Sequence, residues 1–261
     1  MVEKKKSKVV STKATVSSQD QGKKKRKVAL VNKQGRGKRY IEVAKLTDIN
    51  KVYSLDEAIE VLLKTANVKF DSAIEAHIRT TLDPKQADQN LRGTVLMPSG
   101  IGKSIKILVF AEGAEAQASK KAGADYVGSD DLVDKIKAGW LDFNVAIATP
   151  EMMPRIGQIG KTLGTKGLMP NPKSGTVTKD PARAVEEFKK GKVEFKLDKE
   201  AIIHLSFGKV SLGAAALKEN FTTLYKAIMA AKPASAKGAY IKKISLASTM
   251  GPGVTIDLIS L

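Results

Sequence analysis

Chemistry in a protein starts with side chains that can donate protons, attack or hold metals, and this chain of 261 residues supplies few. It has two histidines, His77 and His204, and no cysteine. The histidines lie far apart in strand-like settings, outside any HExxH pattern, so ordinary hydrogen bonding is favoured over metal or acid–base work. GIGKS (Gly100 to Ser104) invites a phosphate-loop reading. That loop needs a glycine five residues before the one preceding lysine, where Met97 stands, and it must open a helix, whereas IKILVF follows. AEGAEA, after the first strand of the middle block, has one glycine and two carboxylates where a dinucleotide pyrophosphate needs room. The remaining carboxylates sit mostly beside lysines on helix faces. No catalytic constellation emerges, and neither cofactor nor metal is implied. A nucleotide-dependent enzyme remains the rival from another class, with ATP binding as its test.

The polar strand faces carry more. FDSAIEAHIRTTL alternates with period two, placing Ile74, Ala76 and Ile78 on one face and Glu75, His77, Arg79 and Thr81 on the other. YIKKISLASTMGPGVTIDL alternates again, with Ile244 and Leu246 opposed to Lys243, Ser245 and Thr249. A rigid sheet offering such varied donors and acceptors suits folded RNA. Cations meet phosphates, hydroxyls meet 2′-hydroxyls, and a lone glutamate accepts from a guanine edge. The TMGPG turn (Thr249 to Gly253) has glycines that let backbone approach a sugar-phosphate closely. Phe70 leaves two readings open, a ring packed on ribose or base and a core residue at a strand start. Aromatics total 5%, too few for a single-strand stacking platform.

Charge supports a polyanionic partner. Lys and Arg number 45 against 27 Asp and Glu, a formal net charge of +18. Residues 1 to 40 hold 14 basic and 2 acidic residues, so the body beyond them is only moderately basic. Residues 1–39 are poor in large apolar side chains and read as a disordered basic extension. Their KKKRKV (Lys23 to Val28) resembles a nuclear import signal, with an arm lying along phosphates as the favoured reading and a nuclear or nucleoid polycation as a third hypothesis. No apolar run reaches the ~20 residues of a membrane crossing, and no secretory leader is evident. The absence of cysteine fits a reducing compartment.

The elements that must position these residues follow from periodicity. Structure is expected to begin near Leu55, with Ser54 capping SLDEAIEVLLKTA. RGTVLMP (Arg92 to Pro98) reads as a strand paired with the one containing His77. From Ile105 the register changes: IKILVF, ADYVG and NVAIATP are short apolar strands separated by helices, one of them capped by Ser129. That is a small parallel sheet covered on both faces. Alternating strands return after Asp180–Pro181 opens a further helix. KTLGTKGLMPNPKSGTVT (161 to 178) reads as neither helix nor strand, with Leu168 and Met169 packing against one side of a hinge. The fold class expected is α/β and α+β in two domains. A discontinuous α+β RNA-binding domain spans 40–98 and 172–261, and an inserted Rossmann-like three-layer unit spans 99–171. The crossings fall near Pro98–Gly102 and Met169–Ser174.

LGTKGLMPNPKSGTVT, FDSAIEAHIRTTLDPKQADQNLRGTVLMPSGIGK, AGADYVG, GWLDFNVAIATPEMMP, KVEFKLDKEAIIH and STMGP occur in one order over roughly residues 42 to 260. Together they closely resemble the bacterial-type first protein of the large ribosomal subunit. The resemblance implies two hinged domains without enzymatic activity. It implies binding to the side stalk of the large-subunit ribosomal RNA, near where deacylated transfer RNA leaves. It also implies contact with that exit-site tRNA, binding to a stalk mimic on the protein's own operon mRNA, and a monomer away from the ribosome. Positions matching the family's RNA-contacting segments are Lys69, Phe70, Glu75, His77, Lys209, Thr249, Met250 and Gly251. The bacterial cytosol is the expected location, with a plastid or mitochondrial ribosome as the alternative.

Overall fold

A computed structural model describes residues 37–259 except 49 and 237, so the basic extension up to residue 36 lies outside the described residues. The elements are α1 (Lys38–Ala44), β1 (Val52–Tyr53), α2 (Leu55–Thr65), β2 (Ala73–Thr80), β3 (Arg92–Leu96), β4 (Ile107–Phe110), α3 (Gly113–Lys121), β5 (Tyr126–Gly128) and α4 (Asp130–Lys137). They continue as β6 (Val145–Ala148), α5 (Met153–Gly157), α6 (Gly160–Lys166), α7 (Pro181–Lys189), β7 (Lys192–Lys196), β8 (Ile202–Lys209), α8 (Gly213–Ala230), β9 (Ile241–Ser248) and β10 (Gly253–Ile256). Among the described residues a helix already lies at Lys38–Ala44, ahead of the expected start near Leu55.

A five-stranded sheet, ordered β1-β10-β9-β2-β8, draws its strands from both ends of the described chain. Its period-two pattern buries Ile74, Ile78, Ile203, Phe207, Ile244, Leu246 and Val254 on one face. The amphipathic helices α2 and α8 cover that face with Ile59, Leu62, Leu217, Phe221 and Leu224. α2 begins as its sequence demands, the Ser54 hydroxyl accepting from Glu57 N at 3.4 Å. α4 does not: Ser129 occupies the cap position without a side-chain bond.

β3 pairs antiparallel with β7, not with β2 as expected. Both edges of β2 are already occupied, by β8 and β9. Gly93 makes the alternative pairing fit, since a Cβ there would lie 2.7 Å from the Phe195 ring. This ribbon sends Val95, Met97, Phe195 and Leu197 into the same core as the large sheet.

Between the two halves, β5-β4-β6 form a three-stranded parallel sheet. Its central strand β4 is buried on both faces, as a continuous hydrophobic run requires, and β6 is nearly so, while β5 at the edge is only partly covered. Leu108, Phe110 and Ala148 meet α4, α5 and α6 through Val133, Ile136, Ile156 and Leu163. On the other face, Ile107, Val109 and Ile147 meet α7 through Ala184, Val185 and Phe188. The three-layer α/β and α+β classes are therefore both present.

The 161–178 stretch differs from its reading in one respect. Its first part is helical, as the end of α6, which stops at Gly167 in the left-handed region (φ 72°). Leu168 and Met169 then pack on the central core. The apolar stripe of α7 also covers the central sheet, and the chain runs from α7 through Gly191 into β7. There Met97 N donates to the Gly191 carbonyl at 3.1 Å. A Cβ on Gly191 (φ 103°) would lie 3.0 Å from Gly100 Cα, so the two crossings touch. Asn220, fully buried on α8, fastens the first crossing. Its Nδ2 donates to the carbonyls of Gly100 (2.8 Å) and Phe207 (2.9 Å), and its Oδ1 accepts from Ser99 N (3.1 Å).

Candidate nucleic-acid interface

Antiparallel pairing brings distant segments to one end of the large sheet. β2 starts at Ala73 opposite Lys209, where β8 stops, and Ile74 lies opposite Ser248, where β9 stops. The loop holding Lys69 and Phe70, the end of β8 at Lys209, and the turn Thr249–Met250–Gly251 therefore converge. Asp71 ties the first loop to the chain beyond β8: its carboxylate accepts from Ser211 N at 3.2 Å and Ser211 Oγ at 2.8 Å. The Ser211 hydroxyl, working against desolvation and aided by Ser211 N and by Lys209 at 3.6 Å, holds the Asp71 carboxyl below its usual range.

The turn is built to present its tip. Thr249 Oγ1 accepts from Ala73 N at 3.1 Å and donates to the Ala73 carbonyl at 3.2 Å, while Thr249 N bonds the same carbonyl at 2.9 Å. The one hydroxyl proton of Thr249 is thus committed within the protein, and its side chain pins the turn. Met250 takes φ 62°, a left-handed conformation costly for a non-glycine residue. Gly251 closes the turn where a Cβ would lie 2.1 Å from the buried Ser248 Oγ. Arg39, on α1, braces the tip, donating from Nη2 to the Met250 carbonyl at 2.7 Å and from Nη1 to the Asn67 carbonyl at 3.3 Å. Met250 is 68% exposed and Phe70 is 56% exposed. Exposure excludes the core reading of Phe70.

Inward from this end runs the uncovered polar face. Register aligns Ala247, Glu75 and Ser206 in one row, Ser245, His77 and His204 in the next, and Lys243, Arg79 and Ile202 in a third. His77 Nδ1 and His204 Nδ1 are 2.8 Å apart, and His77 Nε2 lies 3.9 Å from Glu75 Oε2. Partial burial, then the neighbouring His204, lowers the proton affinity of His77, with Glu75 acting against them.

Of the residues expected at the site, Glu75, His77 and Lys209 lie on strands of this sheet, and the others lie in the loop before β2 and the turn after β9. Lys69, Phe70, Lys209, Thr249, Met250 and Gly251 gather at the sheet's end, with Glu75 and His77 one and two rows inward. Sequence reasoning missed Arg39, counted with the tail, and Asp71, whose position before a polar strand was the only available signal. It also weighed His204 without pairing it to His77.

The enzyme-like features lead elsewhere. GIGKS forms a connection in which Gly102 (φ 71°) rests on the Lys209 side chain, and no helix follows it. At the carboxyl ends of β4 and β6, where a doubly wound sheet would take a ligand, Arg155 pairs with Glu112 and Asp130. Among the described residues no His, Cys, Asp or Glu cluster could hold a metal, and no helix is long and apolar enough to cross a membrane.

Comparison with known proteins decides the family. The profile of the ribosomal protein L1p/L10e family matches residues 62–252, well over half the chain. The large ribosomal subunit protein uL1 of Lactobacillus delbrueckii subsp. bulgaricus, in strains ATCC BAA-365 and ATCC 11842, is 53% identical over 225 residues, covering 86% of this chain and 97% of each relative. The chain belongs to the L1p/L10e family. The resemblance read from the motifs therefore holds, and L1p/L10e proteins are ribosomal components, not enzymes. The match reaches from α2 to the exposed turn, so both the sheet end and the central unit lie within the L1p/L10e profile, whereas Arg39 lies outside it.

Proposed function

We propose that this chain is a structural constituent of the large ribosomal subunit that grips the side stalk of its ribosomal RNA with the end and open face of the five-stranded sheet. The observation that carries this reading is the pinned turn, which holds Met250 outward beside Phe70 while cations flank both. Thr249 and Gly251 shape the tip, Lys69 and Lys209 meet phosphates, and Glu75 and His77 read sugar or base edges. The setting is a bacterial cytoplasmic ribosome, supported by the bacterial source of the relatives. Near the exit site the stalk complex would touch deacylated tRNA and assist its release. The same surface would bind a stalk-like site on the operon's mRNA and repress translation. Away from RNA the chain acts as a monomer.

The domain division belongs to this reading. The sheet with its ribbon forms the RNA-binding domain, and the central unit, carrying α7, is an insertion that swings at the contact between Gly100 and Gly191.

Hydroxyl-radical footprinting of the full chain on large-subunit RNA tests the proposal. Nucleotides protected by the wild type must lose protection in Met250→Asp. Protection that survives that change, or that maps to the central unit alone, ends it. Removing residues 1–36 should flatten the dependence of log affinity on log salt while leaving stalk RNA preferred over duplex DNA.

A further inference from the structure

His77 does not stand alone on the open face. Asp198, in the turn between β7 and β8, is fixed as an acceptor: its Oδ1 takes Ile202 N at 2.8 Å and Glu200 N at 2.9 Å. Its Oδ2 lies 3.2 Å from His204 Nε2, and His204 Nδ1 meets His77 Nδ1. The four groups form one chain in space, Asp198, His204, His77 and Glu75, running across the sheet.

We propose that Asp198 and His204 are positioning residues that set which ring nitrogen of His77 carries a proton, and so decide whether His77 offers RNA a donor or an acceptor. The proposal rests on the sheet being the RNA-binding surface, as inferred above.

The proton count follows from elementary chemistry. Desolvation works against it, but the N–H groups of Ile202 and Glu200 and the neighbouring His204 keep the Asp198 carboxyl below its ordinary range, hence ionised and accepting only. His204 Nε2 must then bear hydrogen. A single proton can occupy the 2.8 Å gap between the two Nδ1 atoms, because two would face each other. The pair is therefore limited to two states. With no extra proton, His77 donates from Nδ1 to His204, and its outward Nε2 is a bare acceptor 3.9 Å from the Glu75 carboxylate. With one extra proton, His77 Nε2 carries hydrogen wherever the charge resides, and faces Glu75 and solvent as a donor. A second proton breaks the contact.

The other charged groups of this face, Arg79 and Lys243, occupy the next row. Ser206 and Ser245 flank the histidines and carry no charge. Only the histidines can then change charge between about pH 5 and 8.

Binding of the full chain to a side-stalk RNA fragment, measured across that range, tests the idea. Wild-type affinity should rise as pH falls and one proton is taken up, then decline as the second enters. His204→Ala should bind about three- to tenfold more weakly with a flattened pH profile. His204→Asn keeps a partner near the Nδ1 position but has no titrating ring, so it should restore affinity while the profile keeps only the single proton step of His77. In a His77→Ala background, His204→Ala should add no further loss. Ring nitrogen-15 spectra of the free protein, at the pH of tightest binding, should show His77 protonated at Nε2, and Asp198→Asn should disturb that state. Wild-type affinity and pH profile in His204→Ala, or a His77 bare at Nε2 in those spectra, would overturn the proposal. Met250→Asp separates the two readings. If it binds RNA like the wild type, the sheet-end interface itself is wrong. If it weakens binding while His204→Ala does not, only the positioning role falls.

Discussion

Arg39 Nη2 donates to the carbonyl oxygen of Met250 at 2.7 Å, joining residues 211 positions apart. α1 thereby reaches across to the last turn of the large sheet, and the tip that would meet RNA is braced from outside its own hairpin. With its second bond to the Asn67 carbonyl, the planar guanidinium ties the turn to the segment leading toward Phe70.

Arg39→Ala should free the turn and weaken stalk-RNA binding by roughly three- to tenfold. Arg39→Lys should recover only part of this, since one ammonium does not reproduce the fork that reaches two carbonyls. Filter binding at fixed salt measures both, and equal affinity in all three proteins would assign Arg39 no part in shaping the tip.

Met250 and Thr249 are adjacent but should fail differently. Met250→Asp places a carboxylate on an exposed side chain, so affinity should drop on the order of tenfold while stability stays within about 0.5 kcal/mol. Thr249→Val removes a hydroxyl bonded twice to the Ala73 backbone. It should lower both affinity and stability, the latter by about 1 kcal/mol. Paired melting and binding curves show whether the two effects separate.

Asn220→Ala should be far more damaging than its neutral chemistry suggests. It leaves Ser99 N and the carbonyls of Gly100 and Phe207 without their buried partner. The expected cost is roughly 2–4 kcal/mol, a fall in melting temperature of roughly 5–15 °C. Calorimetry decides, and a shift below about 2 °C would mean that water replaces the amide freely.

Asp71 gives the sheet end a pH dependence of definite sign. Its carboxyl is lowered from an ordinary value of 3.8, chiefly by the Ser211 hydroxyl and against desolvation. A depressed carboxylate contributes stability that is complete above the unfolded value and lost as pH falls through the lower folded one. Asp71→Asn should therefore be less stable than the wild type at neutral pH, and the gap should close as pH falls below 3.8, where the wild type takes up its proton. Identical acid slopes in the two proteins would show that the tie between Asp71 and Ser211 is absent in solution.

Much of this was legible because it is local. Alternation in Ala73–Thr80 and Ile241–Ser248 names the buried face without any partner, and the unbroken apolar ILVF and VAIA name strands covered twice. Pairing is different, since it depends on which edge is vacant. Nothing local in RGTVL says that β2 is already flanked on both sides. The stripe Ala184, Val185 and Phe188 says that α7 must cover something, but not which sheet. α1 was hidden by composition, its lysine and arginine merging with the tail before it. At the site, residue types and spacing pointed to the sheet end. The bracing by Arg39, the tie through Asp71 and the junction of His77 with His204 are contacts across 28 to 211 positions, and no window of sequence contains them.

Entry to and exit from the central unit are one hydrogen bond apart, from Met97 to Gly191. Any side chain added at Gly191 would therefore press on both connections at once, so that one residue governs two junctions.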